Sequence, residues 1–249
     1  MKKLVLFSLG LILCLTAFAQ SELSELAKEQ SELNQFINAS GNGRLYLFNQ
    51  GVKEVEGSPY LTEGIILGEI LTKNETFLTN TAYKYNIHED CIEMTKEGRR
   101  INIFAHQIRS FSFFDPIENR KRFFRNGFHN YQDNYTSITY YEVLYDGKVK
   151  LIRKYDKPIM RVGSKINVPG MNTNTATKRY SQIVRTYIKK GSEYIPVKLT
   201  RPNIKRALNS SELKAHLKET KNKCRTLEDV KKALAFYDST LPDEEKTEK

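Results

Sequence analysis

The sequence predicts a mainly β (α+β) fold: an antiparallel β-meander, as a sheet or an open barrel or sandwich, followed by a C-terminal antiparallel helix pair. Three observations predict it. Between residues 64 and 152, short runs rich in Ile, Val, Thr, Tyr and Phe are each bounded by Gly, Asn, Asp or Lys, the pattern of strands that present a half-buried pleated surface. Asp146-Gly147 stands between two alternating runs, a strong hairpin signal because a type I′ turn needs positive φ at both central positions. After residue 200 the apolar spacing changes from two to that of a helix.

The chain opens with an export signal, residues 1–19. Lys2 and Lys3 precede an apolar run at 4–16, and Ala17-Phe18-Ala19 is an A-x-A cleavage site. The run is shorter than the roughly 20 residues a membrane-spanning helix needs. Small residues at the cleavage site argue against an uncleaved anchor, and Leu11-Ile12-Leu13 before Cys14 argues against lipoprotein processing. The mature chain is expected to begin near Gln20 and to carry no transmembrane segment.

Residues 20–57 form a lead-in, with Leu23, Leu26, Leu33 and Ile37 at the spacing of a thin, frayed helix and a first strand at 44–48. The β-meander domain spans 58–200. Its strands are read at 64–71, 76–86, 91–95 and 100–104, with a turn at 96–99. In 76–86, strict alternation puts Phe77, Thr79, Thr81, Tyr83 and Tyr85 on one face. The hairpin at 138–152 is followed by another at 180–199, turning at Lys190-Gly191-Ser192. Pro196 confines the last strand to an edge or a bulge because it donates no hydrogen bond. Residues 157–178 and 115–135 read as long loops, which in a compact domain are functional or disordered. The helix pair occupies 201–241. Ser210 or Ser211 caps the first helix, and Thr226-Leu227-Glu228-Asp229 forms a capping box with Asp in its last place. Residues 242–249 are a charged, disordered tail.

This layout resembles a group of uncharacterised exported β-rich proteins of Bacteroidota-type bacteria. The likeness is carried by the signal ending Ala17-Phe18-Ala19-Gln20, the entry Ser58-Pro59-Tyr60-Leu61, Tyr83-Lys84-Tyr85-Asn86 followed by an acidic turn and Cys91-Ile92-Glu93-Met94, the two hairpins, and a helix ending Ala235-Phe236-Tyr237. It implies a β-rich fold and a location in the periplasm, at the outer-membrane periphery or outside the cell. No activity comes with it.

The formal net charge is +11, two units of which leave with Lys2 and Lys3. In an exported protein such a surplus meets anionic lipid head groups, acidic glycans or other acidic envelope components rather than nucleic acid; its alternative is a charge that only keeps the protein soluble. The candidate anionic-ligand patch is Arg120, Lys121, Arg122, Phe123, Phe124 and Arg125, where cations interleave with rings; its alternative is a basic loop whose Phe residues plug the sheet. Cys91 and Cys224 are a candidate disulfide, with two small buried hydrophobes as the alternative. His88-Glu89-Asp90-Cys91 is the densest group of metal-type ligands, and its expected place is a solvated turn. No H-x-x-x-H, C-x-x-C, Gly-x-Ser-x-Gly or phosphate-binding glycine loop is present, so no cofactor and no catalytic residue is assigned. The reading is a non-catalytic exported envelope protein with a binding or assembly role. The alternatives are a glycan-acting enzyme using loop carboxylates and a small-molecule carrier in a closed β-barrel.

Overall fold

The computed structural model describes residues 27–28, 31, 33–35, 55–96, 99–165 and 174–242. The signal segment, the strand read at 44–48, the tip of the loop read at 157–178 and most of the tail lie outside them. Within the lead-in, residues 27–28, 31 and 33–35 are helical, and Leu33 packs on the core.

The architecture is one large antiparallel sheet with helices against one part of it. In chain order the strands are β1 (Val55–Glu56), β2 (Ile66–Thr72), β3 (Phe77–Asn86), β4 (Cys91–Lys96), β5 (Arg99–Phe104), β6 (Ile108–Asp115), β7 (Arg120–Arg125), β8 (Tyr141–Asp146), β9 (Val149–Asp156), β10 (Ile159–Lys165), β11 (Asn174–Tyr180), β12 (Ile183–Lys190) and β13 (Glu193–Pro196). Ten of them form a sheet in the order β13-β12-β9-β8-β7-β6-β2-β3-β4-β5. The order is linear with two ends, so the sheet is not a closed barrel, and the closed-barrel carrier is set aside.

The sheet curls. β3 and β7 are three places apart, about 14 Å in a flat sheet, yet Tyr85 of β3 lies 5.5 Å from Phe124 of β7 between ring centroids and 4.9 Å from Phe111 of β6. Phe111 and Phe124 stack at 4.8 Å, and Tyr140 meets Phe111 edge-on. These rings fill the main core, in the offset and edge-on geometries that ring quadrupoles favour.

The alternation expected along β3 breaks once. Leu78 is buried, and so are Thr81, Tyr83 and Tyr85, but Phe77 is exposed. The cause is a bulge: Gly68 pairs with Thr81 while Ile70 pairs with Leu78, and Asn80 takes φ +45°. One extra residue switches the parity of everything before it.

Two strands missed from the sequence, β6 and β7, occupy the centre of the sheet. β6 is Ile108–Asp115, Ile-Arg-Ser-Phe-Ser-Phe-Phe-Asp; Ser and Arg interrupt its apolar run, and its neighbour β7 reads as a charged loop. Two more, β10 and β11, come from the loop read at 157–178. Strands β9 and β10 are one rail of a long hairpin, and β11 and β12 are the other. Lys157-Pro158 and Ser181-Gln182 bend both rails at one level, where the Ser181 N–H donates to the Pro158 carbonyl at 3.0 Å. Beyond the bend, β10 and β11 leave the large sheet as a ribbon, joined among the described residues by β1, parallel to β11.

Three helices follow: α1 (Arg201–Leu208), α2 (Ser211–Glu219) and α3 (Leu227–Thr240). The expected pair is α2 and α3, and α1 was not foreseen. The Ser210 side chain accepts from the Leu213 N–H, and Thr226 with Asp229 makes both bonds of the capping box. Ile204, Leu208, Leu213, Leu217, Val230 and Leu234 close a second core on Leu144, Val149, Leu151 and Ile188 of the sheet.

One carboxylate fixes this layer to the sheet. Asp238, near the end of α3, accepts from the N–H groups of Lys148 and Val149 and from the Tyr145 hydroxyl at 2.8–2.9 Å. Burial and that carboxylate push the Tyr145 phenol up to about 12. The hairpin expected at Asp146-Gly147 is present, but Gly147 does not take positive φ. Its lack of a side chain serves a close approach instead, because a Cβ there would lie 1.8 Å from Asp238 Oδ2. Asp238→Ala strands buried donors and is expected to cost about 2–3 kcal/mol, and Gly147→Ala should cost a similar amount. In urea unfolding the double variant should cost clearly less than the sum, because both changes strike the same contact.

Candidate functional site

The structure does not assemble residues 120–125 into one gripping surface. They form β7, so alternate side chains go to opposite faces: Arg122 and Phe124 are buried, and Lys121 and Phe123 are outside. Each cation has a carboxylate. Arg120 pairs with Glu118 and, at 2.7 Å, with Glu142. Lys121 pairs with Glu69 at 2.7 Å, and Lys121 and Ser112 together hold that carboxyl below its ordinary range. Arg125 reaches Asp146 at 3.2 Å and lies over the Phe128 ring. The expected anionic-ligand patch is thereby corrected to an internally neutralised strand.

Arg122 is the centre of that strand. Its Nε donates to Glu142 Oε1 at 2.8 Å, Nη2 to Oε2 at 3.3 Å, and Nη1 to Asp115 Oδ2 at 3.1 Å. Phe113, Phe124 and Tyr155 surround the guanidinium with ring centroids at 5.0–5.7 Å. Glu142 is fully buried and also accepts from the Tyr155 hydroxyl at 2.6 Å. Burial alone would raise the Glu142 pKa, but the charge and hydrogen bonds of Arg122, with Tyr155 and Arg120, hold it below the usual carboxylate range. Burial likewise opposes ionisation of Asp115, and the N–H groups of Glu118 and Ile117 with Arg122 overcome it. Both acids are tied down as acceptors inside a packed core, a structural arrangement rather than an acid–base pair facing a substrate.

The turn His88-Glu89-Asp90-Cys91 joins β3 to β4, where the sequence places it; the Cys91 thiol donates to Glu89 at 3.8 Å, while His88 and Asp90 diverge. His88 Nδ1 lies 2.9 Å from the Lys157 carbonyl, with its ring edge-on to Tyr180. Asp90 turns inward to the Tyr85 hydroxyl at 2.5 Å, the Tyr140 N–H at 3.1 Å and Lys154 at 3.2 Å. Among the described residues no three His, Cys, Asp or Glu side chains are placed to hold a metal ion. His106, His129 and His216 each stack on a ring, of Phe104, Tyr131 and Phe236 respectively.

The expected disulfide is also corrected. Cys91 and Cys224 are both free and fully buried, one on β4 under the sheet and the other in the helical core. Burial pushes both thiols up, as for small core hydrophobes. A thiol reagent should modify neither residue in the native protein and both after denaturation; peptide mass mapping reads the result.

One stretch of the sheet region that keeps exposed positive charge is the ribbon. From 157 to 192 the chain has eight Lys or Arg and no Asp or Glu. Some of these cations are engaged below the bend: Lys157 donates to the Tyr60 carbonyl, and Arg185 pairs with Asp156 at 2.9 Å. On the ribbon itself Arg161, Lys178 and Arg179 are exposed. Arg161 and Lys178 are directly opposed across β10 and β11, a like-charge pairing that destabilises a sheet unless an anion lies across it. Glu56 of β1 stands beside Arg179 in register, whereas Val55 stands beside Lys178. Ile159, Met160 and Val162 are exposed at 39–47 %. The register places Arg161, Lys178 and Ile159 on one face and Met160, Val162 and Arg179 on the other. Residues 157–178 read as a loop in the sequence, where the signal of the ribbon is the long acid-free run.

No family model matches the chain, and neither a curated protein nor a solved structure matches it.

The buried ion network gives a direct test of its role. Arg122→Met leaves Glu142 and Asp115 short of their main partner, and is expected to cost about 3–5 kcal/mol at neutral pH, as when one member of a buried pair is removed. Because both carboxyl pKa values are lowered by folding, their contribution is complete above the ordinary carboxylate range and is lost as pH falls through the lower folded values. The gap between wild type and Arg122→Met should therefore narrow on acidification in denaturant titrations.

Proposed function

We propose that the chain is an exported, non-catalytic protein of the cell envelope that docks on an anionic lipid surface through the β10–β11 ribbon. The observation that carries this reading is the exposed Arg161–Lys178 cross-strand pair in a stretch without a single acid. The exposed Ile159 on the same face, and Met160 and Val162 beside Arg179 on the reverse face, favour lipid over an acidic glycan: aliphatic side chains enter the interfacial layer, and cations stay with the head groups. The signal segment at 1–19 supports export, and with it access to a membrane face. No helix among the described residues is long and apolar enough to cross a bilayer, and peripheral docking needs none.

Each cation near an anionic surface contributes about 1 kcal/mol, so Arg161→Gln with Lys178→Gln should weaken binding to anionic vesicles by roughly 30-fold. Zwitterionic vesicles should bind neither form, and raised salt should weaken wild-type binding. A second variant separates binding from folding. Lys178→Glu turns the opposed like charges into an ion pair, so it should leave stability equal or higher by about 0.2–1 kcal/mol while reducing vesicle sedimentation. Retention of full vesicle binding by both variants would overturn the ribbon reading, and binding transferred to acidic polysaccharide would replace lipid by glycan.

A further inference from the structure

Helices α1 and α2 flank an open recess of about 690 Å³, lined by Arg201, Pro202, Lys205, Lys214, Ala215 and Lys218. Its wall is built by helix periodicity. Arg201 and Lys205 stand one turn apart on α1, and Lys214 and Lys218 one turn apart on α2, while Ile204, Leu208, Leu213 and Leu217 turn the other way into the core. Pro202 and Ala215 are the small residues that leave the space open. Like charges four apart on a helix repel, and here both helices direct such a pair into the same hollow. No carboxylate lines it. Glu212 is held by the Ser210 hydroxyl at 2.8 Å, outside the lining. Lys214 reaches only the neutral side chain of Asn209, at 3.3 Å. The Arg201 Nε is buried with no hydrogen-bond partner, although a guanidinium N–H buried in a wall ordinarily finds an acceptor.

We infer that this recess is a binding site for a small multiply charged phosphoryl compound, separate from the ribbon. Four cations around one hollow exceed what a single carboxylate can balance, and a phosphoryl group with two or more charges presents several acceptor oxygens at once. The guanidinium fork of Arg201 suits such oxygens bidentately, and the three lysines act as mobile point charges. The phosphoryl group can belong to a soluble polyphosphate or to a phosphorylated lipid head group at the same membrane face. The chemistry is shared, and the experiment separates the sources.

The test uses inorganic pyrophosphate as the soluble probe and vesicles containing phosphatidic acid as the lipid probe, both at constant ionic strength. Binding of the soluble probe is read by calorimetry and by the shift in melting temperature that a ligand of the folded state produces. Pyrophosphate is expected to raise the midpoint by a few degrees, and Lys205→Gln with Lys214→Gln to weaken its binding at least tenfold. Lys205→Arg with Lys214→Arg should retain it, which shows that charge rather than a fold defect is responsible. Arg161→Gln with Lys178→Gln should leave pyrophosphate binding unchanged, so failure of the ribbon proposal and failure of this one are distinguishable. In that ribbon-silenced background, phosphatidic acid binding that still depends on Lys205 and Lys214, without a pyrophosphate response, assigns the site to a lipid head group. The inference is overturned if neither probe binds, or if the glutamine variant binds them as wild type does.

Discussion

The Arg122–Glu142 ion pair is the interaction on which the rest of the sheet depends. By strand alternation it shares a face with Phe124 of the aromatic core and, through Arg153 opposite Glu142, with Leu151 of the helical core. It stands where those two cores adjoin, on the neighbouring strands β7 and β8. A charge pair in that place is tolerated because the guanidinium is satisfied in a plane by two carboxylates and enclosed by three rings, while the Tyr155 hydroxyl completes Glu142. An apolar pair of equal volume could fill the same space, and would be no less stable on general grounds. The ionic version adds direction: it couples β7 to β8 in one register and one facing, across a junction that only two residue pairs of β7 and β8 define.

That arrangement also decides where positive charge reaches the surface. Acids are concentrated on the sheet, where Glu69, Asp115, Glu118, Glu142, Asp146 and Asp156 neutralise the cations of β7, β9 and β12. The surplus therefore emerges at the ribbon and in the hollow between α1 and α2. Net charge alone does not distinguish a uniformly solvated basic protein from one with two focused basic regions. The internal pairing of the sheet does, and it favours focus.

Much of the fold was legible in the residues. The apolar alternation of β2 to β5 and of the β8–β9 and β12–β13 hairpins, and the caps at Ser210 and Thr226, are local signals backed by local geometry. β6 and β7 were not legible because a central strand carrying Arg122 looks like a basic loop until its partner Glu142, twenty residues later, is placed opposite. β10 and β11 were hidden by Pro158 and Gly163, which mark the bend and the ribbon rather than a loop. The reason for Gly147 was hidden as well, because the group that approaches it comes from residue 238. For the candidate sites, the acid-free run at 157–192 and the cation pairs at 201/205 and 214/218 were in the sequence. Their exposure and convergence depended on which face each helix and strand buried. The clusters that did stand out, at 120–125 and 88–91, proved to be engaged with the protein itself.

The two ends of the ten-stranded sheet are unlike, β13 at one and β5 at the other, so a copy adding its β5 to a neighbour's β13 would repeat without closing and grow into a fibre. Val197 N–H donates inward to Thr186 at 2.8 Å, which by alternation turns the amide position of Pro196 outward. The outer rim of β13 thus lacks a donor at the place where an incoming strand would seek one. A single imino acid there removes one of the few ladder bonds that such an addition to a four-residue strand would need.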